Sequence, residues 1–218
     1  MKRVHIIACA LLAAAAALAT GVCYGSLPAM VPVHWNAAGE ADRMGPRAML
    51  WLLGPGLMAA MLGLGLCLPW LSPQRYRLDA FAPTWSYFIV VMVAMLGCLH
   101  LAVLRAIQDD GVDMARTIHG GLFVMLVLLG NPMGKVRPNF FVGVRTPWSL
   151  ASEQVWHATH RLCGKLMVAS GLLGLAAVAL GAAGWLLSAL AAGWAIVAVL
   201  FSLVHYKRLE KSGRLRAG

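Results

Sequence analysis

The chain contains 218 residues, of which 61% are hydrophobic and 12% are charged, and its mean hydropathy is +0.76. Soluble domains carry about 25% charged residues, so this composition excludes a soluble globular domain and predicts an integral membrane protein. The net charge of +10 comes from basic residues spread over short connections between apolar runs. Such positions are typical of topology signals, and no direct contact with nucleic acid is predicted.

Five long apolar runs predict transmembrane helices. They cover residues 4–27, 48–71, 85–106, 166–183 and 185–206. A sixth run, residues 118–134, is shorter and contains His119, Asn131 and Pro132. The first run also resembles a signal peptide, with Ala17-Leu18-Ala19 as a candidate cleavage site. Because the apolar stretch continues well beyond that site, an uncleaved first span is the preferred interpretation.

The basic residues favour counting the sixth run as a span. With six spans, both termini and the segments 72–84 and 135–165 lie on one side, together with 14 of the 18 basic residues, including Arg216. The other four are Arg43, Arg47, Arg105 and Arg116. Because basic residues concentrate in cytoplasmic loops, we predict an all-α, multi-pass protein of the bacterial inner membrane. It has six transmembrane helices, and both termini lie in the cytoplasm.

The connection after the first span, residues 27–43, reads LPAMVPVHWNAAGEADR. Its prolines hold the chain extended, and residues 36–39 resemble a turn. His34, Glu40 and Asp42 have the chemistry of metal ligands, but they have no defined ligand spacing. A solvated extracellular turn is the preferred interpretation, and no metal or other cofactor is predicted.

The connection before the fifth span contains the stretch NFFVGVRTPWSL, residues 139–150. Thr146 can cap a helix whose first residue is Pro147, and Ser152 is an alternative cap. Beyond these caps, two faces alternate with helical spacing. Val155, Thr159, Leu162 and Leu166 share one face, and Glu153, His157, His160 and Arg161 share the other. This pattern predicts an amphipathic helix at the cytoplasmic interface that leads into the fifth span.

Several side chains in this connection have two interpretations. Phe140, Phe141, Trp148 and Trp156 suit the membrane interface, where aromatic residues are enriched. Arg145 either reaches lipid phosphates or presents its five donors to a partner. Glu153, His157 and His160 fall at i, i+4 and i+7, but this spacing is not HExxH, so a polar helix face is preferred to a metal site.

The same connection carries a family resemblance. Its residues are 130–139 (GNPMGKVRPN), 143–150 (GVRTPWSL), Val155-Trp156, Thr159-His160-Arg161 and Gly164-Lys165. This order of unusual residues resembles the SdpI family of bacterial membrane proteins. The loop residues Pro32, His34, Trp35, Asn36, Gly39 and Asp42 are similar to a domain of unknown function that often precedes it. We therefore divide the chain into residues 1–71 and 72–218, with the motif at 131–165.

The resemblance implies a binding and signalling role rather than an enzyme activity. The best-understood family member is an immunity protein that protects the producing cell from a secreted peptide toxin and recruits a cytoplasmic transcriptional repressor. The expected partners are membrane lipid, an outer peptide toxin and an inner repressor. The expected partner-binding residues are Asn139, Arg145, Thr146, Pro147, Trp148, Trp156 and His160 inside, and Pro32, His34, Asn36, Gly39 and Asp42 outside.

Two other functions compete with this interpretation. A small transporter or permease subunit is disfavoured because charged groups are scarce within the spans, where His100 and His119 are the notable polar residues. A metal-dependent membrane enzyme would use His34 with Asp42, or His157 with His160.

Overall fold

The computed structural model describes residues 1–36, 38–109 and 111–215. Ala37 of the predicted turn and Arg216 of the predicted basic tail lie outside this part of the chain. The protein is 74% helical, and six of its described helical segments are long and apolar enough to cross a membrane. The predicted all-α class and the count of six spans are therefore confirmed.

The helices follow the apolar runs in chain order. The first span is α1 (Arg3–Cys23). The second combines α2 (Met49–Trp51), a π-helical turn (Leu52–Gly56) and α3 (Leu57–Leu71). The next two are α4 (Ala82–Gln108) and α5 (Met114–Gly130). A short α6 (Pro147–Ala151) precedes α7 (Glu153–Ala179) and α8 (Gly184–Lys211).

The wide turn in the second span has a local cause. Pro55 lies inside it, where it lacks an N–H donor and its ring clashes with the preceding turn. A π-helical turn accommodates such an interruption without ending the helix.

A two-stranded antiparallel sheet follows α1 and was not predicted. Strand β1 (Met30–Trp35) pairs with β2 (Ala41–Pro46), and the register slips on either side of His34. The sequence-based expectation of an extended segment and a turn is compatible with this hairpin, but the strand pairing is new. We call residues 30–46 the hairpin.

The chain packs as two compact units. The first consists of Met1–Cys67 and Ser86–Leu122. Its core brings Leu27, Val31, Leu50 and Leu104 together, so the base of the hairpin packs on helices. Arg47 donates to the carbonyl oxygens of Tyr24 (3.0 Å) and Leu27 (2.9 Å). A cation at a helix C-terminus is stabilising, so Arg47 joins the end of α1 to the hairpin.

The second unit consists of Leu68–Trp85 and Phe123–Gly218. Here α7 and α8 are antiparallel, and the Ser170 hydroxyl donates to the carbonyl of Leu190. Their link is closed by Gly181, which has a φ of 71°. The N–H of Ala182 reaches the carbonyl of Ala177 at 2.9 Å and that of Gly181 reaches Val178 at 3.1 Å, the paired bonds of a Schellman helix end.

The predicted amphipathic segment differs from the prediction in its extent. Helices begin after both predicted cap residues: Thr146 caps α6 with its side chain, whereas Ser152 precedes α7 without a capping hydrogen bond from its side chain. However, α7 runs without a break from Glu153 into the apolar residues of the fifth span. The amphipathic segment is the first part of a spanning helix rather than a separate helix.

Candidate functional site

The tip of the hairpin is organised by Asn36. Its side-chain oxygen accepts from the backbone N–H groups of Ala38 (2.9 Å) and Glu40 (3.0 Å), and its amide nitrogen donates to the Glu40 carboxylate. Gly39 has a φ of 82°, and a Cβ on it would lie 2.7 Å from the Cβ of Ala115. The predicted site residues Asn36 and Gly39 therefore shape the turn and its contact with α5.

His34 and Asp42 form an exposed pair across the hairpin. The Nδ1 atom of His34 lies 2.5 Å from Oδ1 of Asp42. The hydrogen bond from His34 holds the pKa of the Asp42 carboxyl below its usual value. The structure thus brings together two residues that the sequence separates by eight positions.

A partly open cavity of about 260 Å³ lies beside the hairpin. Pro32 and His34 border it from β1, and Leu57 and Leu99 border it from the helices. Its lining is mostly apolar, with His34 and His100 as its histidines. Ligand pockets for whole small molecules enclose roughly 300–1,000 Å³, so this volume suits one or two apolar side chains.

His100 is held at this cavity by a buried hydrogen bond. Its Nε2 atom lies 2.7 Å from the Thr20 hydroxyl, which itself donates to the carbonyl of Ala16 at 3.0 Å. The ring packs on the backbone of Gly54, where a Cβ would come within 2.2 Å of it. His100 is therefore positioned by α1 and by the second span. The sequence identified it only as a polar residue within a span.

The loop before α6 is folded around Asn139, which is fully buried. Its amide nitrogen donates to the carbonyls of Arg137 (2.8 Å) and Val142 (3.0 Å). Its oxygen accepts from the N–H groups of Phe141 (2.7 Å) and Val142 (2.8 Å). Because every hydrogen-bonding position of the amide is used, Asn139 holds the loop and offers nothing to a partner.

His160 joins this loop to α7. Its Nε2 atom accepts from the backbone N–H of Val144 at 3.0 Å, and Nδ1 lies 2.8 Å from the carbonyl of Trp156. A backbone N–H can only donate, so Nδ1 must carry the proton and the ring is neutral. The ring stacks on Trp156 with centroids 4.0 Å apart, and Gly143 leaves it room with a φ of 111°.

These contacts correct two sequence-based predictions. Trp156 and His160 are both fully buried, whereas Trp156 was predicted at the membrane interface and His160 on a polar surface. The indole nitrogen of Trp156 donates to the carbonyl of Val136 at 2.8 Å. Each polar atom of the pair has a partner inside the protein, which removes the cost of burying it.

The start of α6 is tied to α8 by hydroxyl groups. Thr146 accepts from the N–H of Ser149 (3.1 Å), and Ser149 accepts from the N–H of Thr146 (3.0 Å). This reciprocal pair is a capping box. The Thr146 hydroxyl also lies 2.9 Å from that of Ser202. The roles of Ser149 and Ser202 were missed, because single serines leave no pattern in the sequence.

Arg145 differs from its neighbours. Thr146 is buried and Trp148 is half-buried, but Arg145 is exposed. Within the described chain its guanidinium forms no hydrogen bond or ion pair. Pro147 is exposed at the first position of α6. Arg145 is the predicted inner site residue whose polar group is available to a partner.

Of the two residue pairs that a metal-dependent enzyme would use, His34 and Asp42 are bonded to each other, whereas His157 and His160 are each bonded elsewhere. His157 accepts a hydrogen bond from Arg137 at 3.1 Å, and both ring nitrogens of His160 are occupied. Among the described residues, no three His, Cys, Asp or Glu side chains have a metal-binding arrangement.

The fold and these two connections define a class of protein. It is a six-span membrane protein with a strand hairpin after the first span and a folded segment before the fifth span. The profile of the SdpI/YfhL protein family matches residues 135–202, and that of a domain of unknown function, DUF1648, matches residues 11–59. The resemblance seen in the sequence is thereby confirmed, and the chain carries an SdpI-family region. The boundary predicted at residue 71 stays a prediction.

A curated relative matches over most of the chain. The Immunity protein SdpI of Bacillus subtilis (strain 168) is 24% identical over 152 residues, which cover 70% of this chain and 70% of that protein. No solved structure matches.

Proposed function

We propose that this chain is a non-enzymatic immunity protein that protects a bacterial cell from a secreted, membrane-active peptide. The proposal is supported by the similarity to an immunity protein over 70% of both chains. The structural observation that supports the proposal is the cavity beside the hairpin. An apolar lining with two histidines suits an apolar peptide side chain and one or two polar groups next to it.

The proposal requires the hairpin to face outward. In the proposed orientation, in the bacterial inner membrane, both termini and residues 135–165 lie on the cytoplasmic side, because 14 of the 18 basic residues then lie inside. A reporter fused after Arg43 should be active outside the membrane, and one fused after Pro138 should be active in the cytoplasm. Activity of both reporters on the same side would contradict the orientation.

The immunity role is tested by expressing the chain in a sensitive host and adding candidate peptides encoded near its gene. A matched pair of variants then tests the cavity. Leu57 borders the cavity and Leu64 lies two turns further along α3, with exposed fractions of 44% and 51%. Leu57→Trp fills the cavity and should lower protection at least about tenfold, whereas Leu64→Trp should leave it unchanged.

Both variants should reach the membrane at the wild-type level, which an immunoblot checks. Equal protection by the two variants would remove the cavity from the proposal. Absence of protection by the wild-type chain against every candidate peptide would contradict the immunity role itself.

A second proposal concerns the inner face and a transcriptional repressor. It is supported by Arg145, whose exposed guanidinium has no partner within the described chain. The buried side chains of Thr146, Ser149 and His160 are by contrast hydrogen-bonded within the segment. Such a guanidinium fork is suited to a carboxylate or to the C-terminus of a helix. We propose that peptide binding outside alters the presentation of Arg145, which then holds the repressor at the membrane.

A further inference from the structure

A groove of about 520 Å³ lies in the second unit, between the end of α5 and the face of α7. Its floor is made by Gly130, Gly134 and Gly164. A Cβ on Gly164 would lie 2.6 Å from the carbonyl oxygen of Gly130, and one on Gly130 would lie 2.7 Å from the Cβ of Met167. The two helices therefore cross in close contact, and the floor of the groove is backbone.

One end of the groove is cationic. Arg161, Lys165 and Asn131 border it there, and all three are exposed. Arg161 and Lys165 are four residues apart on α7, so they share a helix face, where like charges repel. Within the described part of the chain, neither of them has an ion-pair or hydrogen-bond partner. The Arg161 stem passes Gly134, whose Cβ would lie 3.2 Å from its Cγ.

The other end of the groove is apolar. Val168, Ala169 and Leu172 continue the same face of α7, and Leu172 is 56% exposed. Since a helix rises 1.5 Å per residue, about 16 Å separate the level of Arg161 from that of Leu172. The face therefore changes from cationic to apolar along one direction, as a phospholipid changes from phosphate to acyl chain.

We propose that this groove binds an anionic phospholipid. Arg161 and Lys165 contact the phosphate, the Asn131 amide donates to it, and one acyl chain lies along Val168 and Leu172. Basic pockets between transmembrane helices bind anionic headgroups in this way. The site also gives a role to three motif residues that bear the family resemblance but whose side chains form no hydrogen bond or ion pair within the described chain, namely Asn131, Arg161 and Lys165.

The site is tested with the full-length chain in detergent micelles supplied with phosphatidylglycerol or phosphatidylcholine. Native mass spectrometry counts the retained lipids. The wild type should retain phosphatidylglycerol in preference to phosphatidylcholine. The double variant Arg161→Gln with Lys165→Gln should weaken that retention by about 10- to 30-fold, since each cation near a lipid surface contributes a comparable share.

Two further variants distinguish specific binding of the lipid in the groove from general electrostatic attraction to exposed cations. The matched control, Arg208→Gln with Lys211→Gln, removes two exposed cations from the last turn of α8 and should retain the lipid as the wild type does. Ala169→Trp keeps every charge but fills the groove, and should lose the lipid. The proposal is overturned if the control loses as much lipid as the groove variant, or if Ala169→Trp retains it. Displacement of the lipid by millimolar inorganic phosphate would show a phosphate site rather than a lipid site.

Discussion

The hairpin and the segment 131–165 are the two connections that carry the family resemblance, and they place their polar side chains in opposite ways. In the hairpin, His34 and Asp42 pair with each other while exposed, beside a partly open cavity. In the segment 131–165, Asn139, Thr146, Ser149 and His160 are all buried and hydrogen-bonded. The hairpin therefore leaves polar groups and space open to a ligand, whereas the segment 131–165 uses its polar groups to hold its own fold and leaves Arg145 exposed.

The largest expected effect is on the rigid segment. Gly143→Ala places a Cβ within 2.0 Å of His160 Nε2 at a φ of 111°. The variant should lose about 3 kcal/mol of stability, the combined cost of a strained backbone and of a broken, partly buried hydrogen bond from Val144 to His160. Thermal unfolding in detergent measures this. The control is Gly120→Ala in α5, where the added Cβ would meet no described atom of another element within 4 Å. Equal melting temperatures for the two variants would contradict the packing of Gly143 against His160.

A somewhat smaller loss is expected for His160→Phe. Phenylalanine keeps the stacking on Trp156 but leaves the partly buried N–H of Val144 without an acceptor, which costs about 1–3 kcal/mol. The matched control, His157→Phe, removes only a contact with the exposed Arg137 and should cost far less. Unfolding of both variants in detergent gives the comparison, and similar losses would mean that the loop is not held by His160.

Arg145→Lys should leave stability within about 0.5 kcal/mol of the wild type, because exposed substitutions rarely change it more. The lysine keeps the charge but lacks the fork of donors. We therefore expect normal membrane level and loss of most signalling, measured with a reporter gene under control of the repressor. Arg208→Lys, also exposed, is the control. Normal signalling by Arg145→Lys would show that the residue acts as a charge alone.

The smallest expected effect is a titration in the hairpin. His34→Ala removes the hydrogen bond that lowers the pKa of Asp42, so that pKa should rise toward its ordinary value of 3.8. The pair's contribution to the hairpin is present above this ordinary value and is lost as the pH falls through the lower, folded pKa. NMR of labelled carboxyl groups measures the shift. An unchanged pKa of Asp42 in His34→Ala would contradict the pairing.

The spans and helix starts were predictable because their signals are local. Apolar runs of the required length are easily recognised. Thr146-Pro147 indicates a helix start, because threonine can cap a helix and proline is favoured at its first position. The hairpin was harder, because β2 reads ADRMGP, which is poor in the β-branched and aromatic residues that favour strands. Its pairing depends on the core beneath Val31 and on the turn at Asn36.

The burial of His160 could not be predicted from its neighbours. At helical spacing from Glu153 and His157, it reads as one more polar residue on a surface face. Its environment is set by a loop 16 residues earlier, through the N–H of Val144. The same loop covers Trp156 through the carbonyl of Val136. A single sequence gives no sign of which helix face such a loop will cover.

The tight link at Gly181 has a consequence for how the last two helices cross the membrane. Between Ala179, the last residue of α7, and Gly184, the first of α8, there are four residues. Fully extended, the five steps from Ala179 to Gly184 reach at most about 18 Å, well short of a hydrocarbon bilayer core of about 30 Å. The end of α7 and the start of α8 must therefore lie at the same face of the membrane. The two helices thus form one helical hairpin that crosses the bilayer twice.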